Sequence, residues 1–273
     1  MSSPAERGAA FRALHQRDRA FLIPNPWDVG TARLLARLGF EALATTSAGY
    51  AFSLGRRDNR VARDEMLAHA AAIVAATDLP VSADLENGFA DAPEAAAETY
   101  RRAAALGLAG ASIEDMTSDP ERPLYELALA TDRVRAAAEA VHALPLPFIL
   151  TARCENHLVG RNDLADTIRR LQAYQEAGAD VLYAPGLASR DEIAAVVAAV
   201  DRPVNVVMGA RGLRLSLAEL SALGVRRVSV GSALARAALG AFLRGAREML
   251  ERGTFEFADE AVPYAEVSAM FEG

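Results

Sequence analysis

Short apolar runs alternate with longer helical stretches along this chain, and that repeat limits the fold more than any other feature. Strand-like runs fall at 21–24, 42–46, 81–83, 111–113, 147–151, 181–184, 203–206 and 227–230. Helical stretches follow them at 29–38, 63–76, 93–106, 127–143, 164–177, 190–200, 216–224 and 233–252. Gly, Pro and capping residues separate the two kinds; Asp28 suits a helix N-cap and Gly39 a helix stop. A lead-in helix is read at 11–19 and a last one from Tyr264. The segment from Ser47 to Asp58 reads as a long loop. Strands buried on both faces and joined by helices form parallel sheets. Eight such units predict an α/β protein: a single (β/α)8 barrel of the TIM type over 1–273, with a C-terminal helical extension. The competing architecture is an open doubly wound sheet, but no Gly-x-Gly-x-x-Gly turn follows the first strand.

Composition narrows the class of partner. The chain has 273 residues, 52% hydrophobic and 24% charged, which suits a globular fold with a sizeable core. A net charge of -7 argues against nucleic acid and anionic membrane as main partners, yet leaves a small anionic substrate open. One cysteine, Cys154, excludes an intramolecular disulfide. The N-terminal residues lack a basic, then apolar, targeting signal, and no apolar run is long enough for a bilayer. The expected location is the cytoplasm.

Barrel chemistry sits at the C-terminal ends of the strands. The third strand runs out at Asp84-Leu85-Glu86-Asn87-Gly88. In extended chain Asp84 and Glu86 project to the same side, and like charges so placed call for protonation or a cation. Glu114 ends the next strand and Arg153 the one after. Oxygen donors of this kind suit a hard divalent ion, magnesium first and manganese second. Asp84, Glu86 and Glu114 are therefore the candidate metal ligands. Arg153 is expected to grip a substrate carboxylate, and the small residues Thr46, Ser47, Ala48 and Gly49 to offer backbone N–H groups.

With these residues in place, the chain resembles the isocitrate lyase/phosphoenolpyruvate mutase superfamily. The resemblance is carried by 44–58, 82–88, Ile113-Glu114-Asp115, Thr151-Ala152-Arg153, and Asn205 with Gly209. It implies a Mg²⁺-dependent barrel that binds a small α-oxo acid. Asp84 would hold the ion directly, with Glu86 and Glu114 beside it. Asp58 would act as a catalytic loop acid together with Arg153, and Asn205 would line the substrate site. It also implies a homo-oligomer, dimer or tetramer, with the tail at about 255–273 exchanged between subunits.

One departure bears on function. Lyases of this superfamily carry a Lys-Lys-Cys lid motif after the fourth strand, whereas Met116 to Pro123 here has neither lysine nor cysteine. Ala184 also stands where several members place a histidine. The expected activity is a lyase or decarboxylase that breaks a C–C bond through an enolate. Phosphonopyruvate mutase or hydrolase chemistry and non-catalytic oxo-acid binding are the alternatives. His15, His69 and His142 read as surface or structural residues, and Cys154 as a small buried hydrophobe. His157 reads first as an orienting residue. Tyr50 could cover the site or pack its loop.

Overall fold

The computed structural model describes residues 2–209 and 212–272. Its strands are β1 (Phe21–Ile23), β2 (Leu43–Ala44), β3 (Val81–Asp84), β4 (Gly110–Glu114), β5 (Ile149–Arg153), β6 (Val181–Tyr183), β7 (Val204–Val207) and β8 (Arg227–Ser229). All ladders are parallel, in the order β1-β8-β7-β6-β5-β4-β3-β2. No ladder joins β1 to β2, but Ala44 N–H donates to the Pro24 carbonyl at 3.0 Å and closes the ring. The (β/α)8 barrel is thus the observed architecture.

Helices α1 (Pro4–His15), α2 (Val29–Arg37), α3 (Ser47–Ser53), α4 (Arg63–Ala75), α5 (Pro93–Ala105) and α6 (Leu127–His142) accompany the first half. Helices α7 (Leu164–Glu176), α8 (Arg190–Ala199), α9 (Leu217–Ala222), α10 (Ala233–Arg252) and α11 (Tyr264–Ala269) accompany the second. Asp28 caps α2 as expected, accepting from Thr31 N–H. Two boundaries are corrected. The lead-in helix runs over Pro4–His15, not 11–19, because Ser3 and Glu6 form a capping box and Pro4 opens the first turn. The loop after β2 begins as helix α3, because the Thr46 hydroxyl accepts from Gly49 N–H and caps it.

Two apolar clusters fill the molecule. The larger lies between barrel and helices, around Leu43, Tyr100, Ile113, Leu150 and Tyr174. The smaller closes the N-terminal end, where Phe11 and Leu14 of α1 meet Phe21, Ile23, Ile149 and Val181. Gly110 lets α1 come this close: a Cβ there would stand 2.5 Å from the Ile149 carbonyl oxygen and 3.0 Å from the Phe11 ring. The barrel is therefore plugged at one end and open at the other. Among the described residues, no helix is long and apolar enough to cross a membrane.

Candidate active site

Side chains at the open end come from β3, β4 and β5. Register sets Glu114 beside Arg153, and Asp84 beside Ser112. Asp84 is fixed from several sides. Its N–H donates to the Thr45 hydroxyl at 2.9 Å, and its Oδ2 accepts from both the N–H (3.1 Å) and hydroxyl (2.9 Å) of Ser47. Arg153 Nη1 donates to Asp84 Oδ1 at 2.9 Å and lies 3.1 Å from Glu114 Oε2, while Nε donates to Glu155 Oε1 at 2.8 Å. Three acids thus share one guanidinium.

This changes the expected roles. Arg153 is already matched by acids and is not a free receptor for a substrate carboxylate. The N–H groups of Ser47 and Gly49 are also taken, by Asp84 and Thr46. Among the described residues, no three acidic, imidazole or thiol groups stand together as one directly shared metal ligand set. Asp84, Glu86 and Glu114 therefore do not encircle a single point as their side chains stand, because Arg153 draws Asp84 and Glu114 to itself.

Glu86 reaches the site by a different route from the one expected. β3 ends at Asp84, and Glu86 has a left-handed backbone, φ 49°. A tight turn, not strand alternation, brings it back. It is buried, and its Oε1 has no hydrogen-bond partner among the described residues. Burial pushes its carboxyl up to about 8, and repulsion from Asp84 and Asp58 adds to this. Burial also raises Glu114 well above the carboxylate range, against the pull of Arg153. Glu155 is pushed up to about 6, again chiefly by burial. Asp58 is raised by loss of water and by Asp84.

Two adjoining cavities open here. The smaller, about 240 Å³, is lined by Thr46, Ser47, Ala48, Asp84, Arg153 and Asn205, among others. The larger, about 960 Å³, lies under the segment Met116 to Pro123 and is lined by Glu86 and Glu114. Asp58 lines both. The structure therefore gathers every expected site residue except Gly49 around these two spaces; Gly49 faces Trp27 and α10 instead. The lid segment is pinned at its base by a bridge between Met116 and Leu124 and by Thr117 N–H donating to the Pro123 carbonyl.

The remaining residues sort by their contacts. Tyr50 packs the loop, stacked on His69 with ring centroids 3.7 Å apart. His69 Nε2 contacts the Trp27 carbonyl, and His142 pairs with Asp180. Cys154 is fully buried and burial holds its thiol protonated. His157 has a buried Nε2 with no partner among the described residues, and does not line either cavity. Two site residues escaped the sequence reading. Tyr183 places its ring 5.2 Å from the Arg153 guanidinium. Arg227 begins β8, where it reads as an ordinary strand residue, yet its side chain lines the smaller cavity.

The family of phosphoenolpyruvate phosphomutase matches residues 11–250. The chain belongs to this family. A solved structure of a candidate lyase/mutase from Burkholderia cenocepacia J2315 is 63% identical, with a TM-score of 0.97 over 99% of this chain and 97% of that one. The 2,3-dimethylmalate lyase of Eubacterium barkeri is 29% identical, covering 79% of this chain and 76% of its own. Phosphonopyruvate hydrolase, solved with oxalate and Mg²⁺, is 25% identical with a TM-score of 0.85 over 97% and 94% of the two chains. The isocitrate lyase/phosphoenolpyruvate mutase superfamily is therefore the setting of this barrel, and enzymes populate it.

The donor chemistry here fits the Mg²⁺ that this setting implies. The oxygens are hard, Glu86 Oε1 is buried without a partner, and the acids at the barrel mouth outnumber the guanidinium they share.

Proposed function

We propose that this protein is a Mg²⁺-dependent enzyme that breaks a C–C bond in a small α-oxo carboxylate. The observation that carries the reading is the cluster of Asp84, Glu114 and Glu155 on one arginine, with the unpartnered Glu86 carboxyl beside it. So much buried acid is costly unless a cation completes it. Asp84 would hold the ion, with Glu86 and Glu114 adjacent, and the ion would supply polarisation of the 2-oxo oxygen.

The chain's own residues have separate tasks. Ser47 and Thr45 orient Asp84 through the hydrogen bonds described above. Arg153 limits the repulsion among the acids. Asp58, which lines both cavities, would move a proton to or from substrate. The chain contains no lysine, so no side chain can activate a 2-oxo group as an imine. Activation by charge at the oxygen is the route left to this site. The lid segment also lacks any thiol to protonate a leaving carbanion, so that proton would come from Asp58 or from water.

The deciding experiment is a panel of 2-oxo mono- and dicarboxylates, incubated with and without Mg²⁺ and followed by product analysis. Mg²⁺-dependent cleavage of one member is expected. Release of phosphate from phosphonopyruvate would move the assignment to C–P chemistry, and tight binding without turnover would leave a non-catalytic oxo-acid receptor.

A further inference from the structure

Arg227 is 4% exposed and has no acidic partner among the described residues. Its Nε donates to Asn205 Oδ1 at 2.9 Å and its Nη1 to the Thr151 hydroxyl at 3.0 Å. Both acceptors are neutral, and Nη2 donates to nothing among the described residues. Arg133 is also buried without an acidic partner, but it lines neither cavity at the barrel mouth, whereas Arg227 does. Arg170 meets Asp115 and Asp166, and Arg133 donates to the carbonyls of Ala90, Asp91 and Asn87. Arg153, higher in the barrel, is shared by three acids. Arg227 is thus a buried charge that the fold itself leaves without a counter-ion.

Its position gives that charge an address. The guanidinium lines the smaller cavity together with Asp84, Tyr183 and Asn205. Thr151, which it contacts, lies two residues before Arg153 on β5. Strand alternation puts both side chains on the inward face, with Arg227 roughly 7 Å deeper than Arg153. That depth is of the order of the separation between the two carboxylates of a small diacid. Below Arg227 the barrel is closed by α1, and His15 of that helix feels its charge.

We infer that Arg227 is the receptor for a second carboxylate, and that it makes this site select small dicarboxylates over monocarboxylates. The inference rests on the oxo-acid reading above and adds its specificity. The end of the substrate that reacts stays near Asp84, while the distal carboxylate descends to Arg227 and supplies the missing counter-ion. Asn205 and Thr151 engage Nε and Nη1, which leaves Nη2 for the carboxylate. Arg227 thereby acts as a binding residue and takes no part in bond cleavage.

Calorimetric titration with Mg²⁺ present tests this with two acids: pyruvate, and 3,3-difluorooxaloacetate, which carries a second carboxylate and whose fluorines block enolisation. Wild type is expected to bind the diacid more tightly. Arg227→Met should weaken the diacid about ten- to a hundredfold, the worth of a charged buried hydrogen bond, and leave pyruvate within about threefold. Arg227→Lys should restore part of the diacid affinity. Thr151→Val, which keeps the charge and frees its anchor, should lose diacid affinity by a smaller factor and serves if Arg227→Met does not fold. A structural role alone would weaken both acids alike and would overturn the proposal. Equal binding of the two acids by wild type would overturn the role of Arg227 and leave the oxo-acid reading standing. Binding of neither acid by wild type would overturn both.

Discussion

Arg153 Nη1 stands 2.9 Å from Asp84 Oδ1, in the position that a metal cation bound to the same carboxylate would contest. The guanidinium also meets Glu114 and Glu155. Truncating it as Arg153→Met leaves the buried Glu114 and Glu155 and the half-buried Asp84 without their shared cation. The expected loss of stability in urea unfolding, without metal, is about 3–5 kcal/mol. Added Mg²⁺ should raise the stability of this variant more than that of wild type, since the ion then meets no competitor. An equal response in both proteins would show that Asp84 does not hold the ion.

Metal removal should abolish turnover altogether. Stripping with a chelator and restoring with Mg²⁺ or Mn²⁺ should recover it, and Ca²⁺ should recover less because it is larger and less strongly polarising. Asp84→Asn should lower metal affinity and reduce kcat by at least about a hundredfold, the scale of one lost group that stabilises developing charge. Wild-type turnover in excess chelator would contradict both statements.

Acid stability should depend on a residue far from the mouth. His15 is buried among Phe11 and Phe21, donates through Nδ1 to the Phe11 carbonyl, and leaves Nε2 without a partner. Burial, with the charge of Arg227 adding to it, lowers its pKa to about 3 from a normal 6.5. Between these values the unfolded chain binds a proton that the folded one refuses. Stability contributed by neutral His15 is therefore complete above about pH 6.5 and falls as pH is lowered toward 3, by about 1.4 kcal/mol per pH unit. Unfolding of wild type and His15→Leu at pH 7 and pH 5 should show a smaller pH-dependent loss in the variant. Identical losses would exclude His15 as the acid-sensitive group.

The C-terminal region carries an apolar surface that a lone barrel leaves open. Phe242, Leu250, Phe255 and Tyr264 are 69%, 86%, 67% and 89% exposed. We expect copies of this chain to associate through α10 and the tail at about 255–273, as a dimer or tetramer. Sedimentation should show the oligomer for wild type. The double variant Phe242→Glu/Leu250→Glu should shift it to monomer while keeping the fold, because neither side chain is buried in the chain itself. A monomeric wild type would refute the association.

Asp84 and Glu86 show how far local sequence reasoning reaches. Both line the cavities at the barrel mouth, but strand periodicity is what pairs them in the sequence, and β3 stops at Asp84. A left-handed turn at Glu86 does the work instead, and periodicity cannot foresee it. The helix boundary at Thr46 was missed for a similar reason. Small residues read as loop, yet one hydroxyl capping Gly49 N–H is enough to start α3.

What the sequence determined by itself is the barrel and the residues at its mouth. Alternating strand and helix dictates parallel pairing, and parallel pairing carries every strand end to one face. Asp84, Glu114 and Arg153 could therefore be chosen without coordinates. Charge balance was decided only in three dimensions. Which acid faces which arginine depends on register between β3, β4 and β5 and on side-chain reach across the barrel. Only there does Arg153 meet three acids, and only there does Arg227 reach the smaller cavity with no acidic partner among the described residues. Chain order specifies position along a strand; the energy of a buried charge depends on neighbours that are distant in sequence.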